Sequence, residues 1–239
     1  MVGRGDVRPL PVIFALLVLT STGAAQPKAA GTIAGTVSWK GAAPARAPLD
    51  RKTDPVCAKT ARLNEDIVVT DGKLRDVHVR LKLGSAGTHA APGTAAVMAQ
   101  TECMYSPRVL GVVAGQKVEI LNGDPTFHNV RGNLGTKILF NLPHMAGGAP
   151  LSRGDLGKAG DVVALRCDVH PGMAAWIVSS DHSYFAVTGD DGAFTLANVP
   201  PGSYTLEAWH PTLGLKTAKV KVKKGKTAKA SFSFAAPSS

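Results

Sequence analysis

Apolar and polar residues alternate along much of the chain with the period of a strand. In "DVHVRLK" (76–82), Val77, Val79 and Leu81 fall on one side and His78, Arg80 and Lys82 on the other. That pattern predicts a half-buried strand with His78 facing solvent. The runs "KVEIL", "DVVALR", "AAWIV", "AFTLA" and "SYTLEAW" are equally short and are punctuated by Gly, Pro, Asn or Asp. "GDDG" at 189–192 and "NVPPG" at 198–202 predict turns, because proline presets φ and glycine accepts positive φ. Lys219, Lys221 and Lys223 alternate with Val220 and Val222, as on an edge strand protected by charge. No stretch of useful length has a helical period. The expectation is an all-β chain of sandwich type.

The first segment breaks the pattern. Arg4 and Arg8 precede an apolar run from Leu10 to Leu19, and Thr22-Gly23-Ala24-Ala25 follow. This is the order of a secretory signal peptide over 1–25, cut after Ala25. The run is far shorter than the roughly 20 residues that span a bilayer. The expectation is an exported protein, periplasmic or secreted, without a membrane span. Its 239 residues leave room for one large domain or two small ones.

Export changes how the three cysteines are read: two can pair, and the odd one needs a reason. The net charge is +10, or +9 without Arg4, Arg8 and Asp6. Seven lysines lie between Lys216 and Lys229, either as a solvated stretch or as attraction toward acidic partners. Export, and the lack of aromatics among those lysines, argue against nucleic acid.

Two stretches carry chemistry. "CDVHPGM" (167–173) places Cys167, His170 and Met173 three residues apart. On a strand these side chains alternate faces, whereas on a tight loop of about three residues per turn they share one side. About forty residues upstream, "LNGDPTFHNVRG" supplies His128 and Asn129 after a strand and a turn. Two imidazoles, a thiolate and a weak thioether are the ligand set of a blue-copper site. A catalytic Cys–His pair leaves Met173 without a role, structural zinc wants more Cys or His, and haem attachment needs C-x-x-C-H.

At these residues the chain resembles the cupredoxins, above all the amicyanin-like group, in which H-N-V lies upstream of C-x2-H-P-x-M. The resemblance covers about 96–182 and includes "PRVLGVVAGQKVEILNGDP". It implies a Greek-key β-sandwich holding one type 1 copper. His128 and His170 are then equatorial ligands, Cys167 the thiolate and Met173 the axial ligand. Asn129 ties the two ligand loops together. The resemblance further implies that His170 is the edge exposed to redox partners, ringed by Pro171, Gly172, Met173, Ala174 and Ala175. Arg108, in "YSPRVL", stands where relatives of this two-part architecture are expected to carry a histidine.

A second resemblance lies outside this segment. "TGDDGAFTLANVPPGSYTLEAW" is similar to the second half of a carboxypeptidase-regulatory-like (transthyretin-like) β-sandwich, and "GTIAGTVSWKG" with "LRDVHVRLK" to its first half. The implied organisation is one discontinuous, smaller sandwich, 31–85 plus 184–236, with the copper domain inserted between; two domains in tandem are the alternative. Cys57 and Cys103 are expected to form a disulfide between the two parts, leaving Cys167 for metal.

The implied function is an electron carrier, not an enzyme, exchanging single electrons with an acidic c-type cytochrome or oxidoreductase. A periplasmic copper carrier or storage protein is the alternative, although the five methionines are unclustered. Copper enzymes commonly need H-x-H pairs, and none of the seven histidines forms one. A metal-free adhesion or carbohydrate-binding module rests on the outer sandwich alone. His144 and Met145 are assigned to packing or surface, His89 to a flexible stretch, and His182 with His210 stand as a minor candidate for a second metal.

Overall fold

The computed structural model describes residues 30–236, so the expected signal peptide lies outside them. Among the described residues the chain is all-β, with one short 3-10 turn at Cys57–Lys59. Its strands form four sheets, two around each of two cores.

The outer core is built from both ends of the chain. Gly31–Lys40 pairs in parallel with Thr227–Ala235 on one edge and antiparallel with Ala193–Val199 on the other. The facing sheet runs Phe185–Val187, His78–Leu81, Gly202–His210, Gly214–Val222. Ile33, Val37, Val79, Leu81, Leu206 and Phe234 pack between the two sheets. Gly214–Val222 ends its sheet with Val220 and Val222 inward and Lys219 and Lys221 exposed.

Gly35 is a close-approach glycine. A Cβ there would lie 1.6 Å from the Ala230 carbonyl oxygen and 2.8 Å from the Phe194 ring. Gly35→Ala is therefore expected to destabilise the protein by about 3 kcal/mol in urea unfolding, because backbone must move to admit the methyl group.

The inner core lies between the sheet Lys137–His144, His128–Leu134, Val162–Arg166, Ala174–Ser180, Val109–Val113 and the sheet Leu151–Arg153, Val118–Asn122, Ala96–Thr101, Met104–Ser106. Met98, Ile120, Val130, Leu165 and Ile177 are fully buried there.

The alternation in 76–82 holds for the core side: Val77, Val79 and Leu81 are all 0 % exposed. The other side is not solvent. His78 is 1 % exposed, stacked on Phe185 with ring centroids 5.3 Å apart. Gly111 of the inner sandwich lies against it, and a Cβ there would come within 2.9 Å of His78 Nε2. The solvent assignment of His78 is thus corrected: the inner sandwich packs on the face that local alternation leaves to water. His89 is also anchored, its Nδ1 accepting the Ser183 N–H at 3.2 Å.

Between Lys40 and Val69 the chain leaves the outer sandwich and crosses the inner one. This excursion is pinned on itself by Leu49 N–H to Arg62 O (2.9 Å) and Asn64 N–H to Ala47 O (2.8 Å). It is pinned to the inner sandwich by the Cys57–Cys103 disulfide and by Arg51 donating to the Glu102 carbonyl. A disulfide of this kind typically stabilises by ~2–4 kcal/mol.

Candidate metal centre

The "CDVHPGM" segment leaves Val162–Arg166 and turns back into Ala174–Ser180. Cys167 N–H donates to the Met173 carbonyl at 3.2 Å and Met173 N–H to the His170 carbonyl at 3.3 Å, which closes the loop. Gly172, at φ +86°, makes its turn. His128 opens the neighbouring strand His128–Leu134, which pairs with Val162–Arg166.

This geometry brings three of the four expected ligands together. His128 Nδ1 lies 2.9 Å from His170 Nδ1, and Cys167 Sγ lies 3.9 and 3.6 Å from the two nitrogens. Met173, 1 % exposed, is packed in the same core as Cys167. A first-row metal sits about 2.0 Å from imidazole nitrogen and about 2.3 Å from thiolate sulfur, so in-plane donors stand roughly 3–4 Å apart. The triangle has that size.

The far side of each ring explains which nitrogen points inward. His128 Nε2 is 2.9 Å from Asp124 Oδ2, and His170 Nε2 is 3.0 Å from Asp54 Oδ2. A carboxylate partner keeps the proton on Nε2 and leaves Nδ1 as a bare lone pair. With both Nε2 atoms so engaged, the two Nδ1 atoms, 2.9 Å apart beside a thiol, are the donors available to a cation between them. Burial pulls His128 below the ordinary imidazole range, which favours the neutral ring, against the upward pull of Asp124.

Each carboxylate is itself held. Asp54 accepts from Thr126 Oγ1 at 2.6 Å and from the Val56 and Cys57 N–H groups at 2.7 and 3.3 Å. The Thr126 bond leads in holding Asp54 well below the usual carboxylate range, with desolvation opposing it and the His170 contact adding to it. Asp124 accepts from the Glu102 and Cys103 N–H groups at 2.6 and 2.9 Å. The disulfide therefore joins the turn that carries Asp54 to the turn whose N–H groups hold Asp124.

Asn129 bridges the ligand loops. Its Oδ1 accepts from Cys167 Sγ at 3.4 Å and from Asp168 N–H at 2.6 Å, and its Nδ2 donates to Asn141 Oδ1 at 2.7 Å.

The exposed-edge expectation is corrected. His170 is 7 % exposed, Met173 1 % and Ala175 0 %; of the expected patch Pro171 and Gly172 are exposed and Ala174 is half-buried. The excursion packs against the loop, with Asp54 on His170 Nε2 at 3.0 Å and Leu49 2.8 Å from where a Cβ on Gly172 would lie. A distant segment can cover a loop that is locally apolar and turn-like, and nothing near His170 in the sequence signals it.

Asp54 and Asp124 were not legible as site residues. Asp124, four residues before His128 in "NGDPTFH", carried a local signal; Asp54 carried none. His144 pairs opposite His128 and is buried, with its Nδ1 2.8 Å from Gln100 Oε1, while Met145 is exposed. His182 and His210 are buried, and among the described residues neither joins a cluster of metal-ligating groups.

The fold and cluster define an all-β protein in which two histidines and a cysteine form a buried group able to hold a metal ion. Comparison with known proteins adds the following. A family model for the ER membrane protein complex subunit 7, beta-sandwich domain, matches residues 167–237. The structure is similar to a purple cupredoxin from Nitrosopumilus maritimus (23 % identity, 36 % of this chain and 99 % of that one, TM-score 0.31). It is similar to amicyanin from Paracoccus versutus (20 %, 42 % and 98 %, TM-score 0.32). It is also similar to part of a Cu-containing nitrite reductase from Thermus scotoductus SA-01 (17 %, 44 % and 26 %, TM-score 0.33). No curated protein matches the chain in sequence.

Proposed function

We propose that the protein is a blue-copper electron carrier, with copper bound by His128, Cys167 and His170 and by Met173 as axial ligand. The observation that carries this reading is the triangle of Nδ1, Nδ1 and Sγ, with both outer nitrogens tied to carboxylates. Bound there, copper supplies a one-electron couple between Cu(I) and Cu(II). The chain's own residues supply the rest. Cys167 gives the soft ligand, Asn129 ties its loop to the His128 strand through the Asp168 N–H, and Asp54 and Asp124 orient the rings.

Strands and a disulfide hold all of these groups, so little has to move when the charge at the centre changes. Burial of the ligands favours an electron carrier over a copper-exchanging carrier and leaves a substrate no open approach on the His170 side. The reading includes export to the periplasm, a cupredoxin domain over 96–182, and a transthyretin-like outer sandwich that serves as scaffold.

The test is to add Cu(II) to the purified protein and record its visible spectrum and voltammogram. An intense thiolate-to-copper band with a reversible one-electron wave is expected. A protein that stays colourless, or releases copper quickly to a competing chelator without a reversible couple, defeats the reading.

A further inference from the structure

The same excursion that covers His170 leaves a different approach to the ligand set. A groove of ≈ 680 Å³ opens beside Cys167 and Met173; Trp176, Arg108, Arg131 and Arg166 line it together with Asp66, Asp168 and Glu65, the last paired with Arg75 at 3.1 Å. Trp176 is half-buried and sits between two guanidiniums, with Arg108 Cζ and Arg166 Cζ each 4.8 Å from its ring. Arg166 is the covalent neighbour of Cys167, so the groove wall is one peptide bond from the thiolate ligand.

Charge in this groove is unevenly compensated. Arg108 is paired with Asp66 at 2.9 Å and Arg131 with Asp168 at 3.0 Å. Arg166 bonds only the Leu165 carbonyl at 2.8 Å, and among the described residues no carboxylate forms an ion pair with it. A planar aromatic flanked by cations, at the mouth of a groove beside a redox ligand, suits a carboxylate-bearing surface.

On the opposite side the ligand edge is closed. Asp54 occupies His170 Nε2, and the Cys57–Cys103 bridge fixes the cover to the inner sandwich. A partner approaching there meets the cover rather than a ligand.

We propose that the electron-exchange surface is the Arg166–Trp176 groove beside Cys167, that its partner is a redox protein presenting an acidic face, and that the covered His170 edge is not the contact. This rests on the copper reading above. One electron passes between the reduced copper site and the partner's oxidised centre; no bond is made and no proton is transferred.

The test uses the full, copper-loaded protein and two one-electron oxidants of opposite charge, hexacyanoferrate(III) and tris(phenanthroline)cobalt(III). Oxidation is followed at the thiolate band. Arg166→Glu is expected to slow the anionic oxidant by about tenfold and to speed the cationic one, with the salt dependence of both reduced. Lys52→Glu, the same charge change on the exposed outer side of the cover, is expected to alter either rate by less than about twofold. Arg166→Gln gives the milder version should the glutamate not fold. Midpoint potentials are measured in the same samples, so a change in driving force is not read as a change in docking.

Equal effects at Arg166 and Lys52, or a larger one at Lys52, would overturn the groove as the contact while leaving the copper reading intact. Wild-type protein with no thiolate band would overturn both.

Discussion

Cys167→Ser is expected to abolish the visible thiolate-to-copper band and to lower copper affinity by more than about a hundredfold, beyond what outer partners of metal ligands usually contribute. The substitution exchanges a soft donor for a hydroxyl of similar shape, so the ring positions of His128 and His170, fixed by Asp124 and Asp54, should survive. Circular dichroism and urea unfolding of the metal-free variant should therefore match wild type. The two proteins separate only when copper is added: the metal raises the unfolding temperature of wild type, because it binds the folded state, and raises that of the variant far less. A coloured Cys167→Ser protein would show that the sulfur is not a ligand.

Acid should unfold the outer sandwich. His78 and His210 both belong to that sandwich and are 1 % exposed each. Burial, then Arg80 and His182, hold His78 down at about 3, and burial followed by Arg108 holds His210 down at about 4. In the unfolded chain both titrate near 6.5. The unfolded state therefore binds more protons over this range, and stability present above pH 6.5 is lost as pH falls toward 4 and 3. Linkage puts the combined loss between pH 7.5 and pH 4 at ~6 kcal/mol. That is a large part of the 5–15 kcal/mol typical of a folded domain. Urea unfolding across this pH range checks the value, and His78→Phe, which removes the larger shift, should recover roughly half of it. A flat profile would show that these imidazoles reach water.

The strand pattern made the all-β class legible, because one buried face per strand is enough to write an alternation of period two. It also placed Val77, Val79 and Leu81 in a core and Lys219 and Lys221 outside one. It misplaced His78, because alternation reports which side faces the first core and says nothing of a second body packed on the other side. The donor loop was legible for a similar local reason: Cys167 and His170 lie three residues apart, and a tight loop is the conformation that lets such a spacing converge. His128 was reachable only as the partner that such a loop calls for.

What the sequence by itself determined is the set of groups with coordinating chemistry and the short segments that carry them. It could do so because donor type and local spacing are properties of a few adjacent residues. What tertiary structure decided is everything that depends on segments meeting from afar. Asp54, more than a hundred residues before His170, reaches its Nε2; Cys57 and Cys103 join the turns that hold the two carboxylates; Leu49 packs beside Gly172. No periodicity records these contacts, since each arises from one chain excursion crossing another domain. Those contacts turn three donors into an oriented, buried set and leave the side of Cys167 as its open approach.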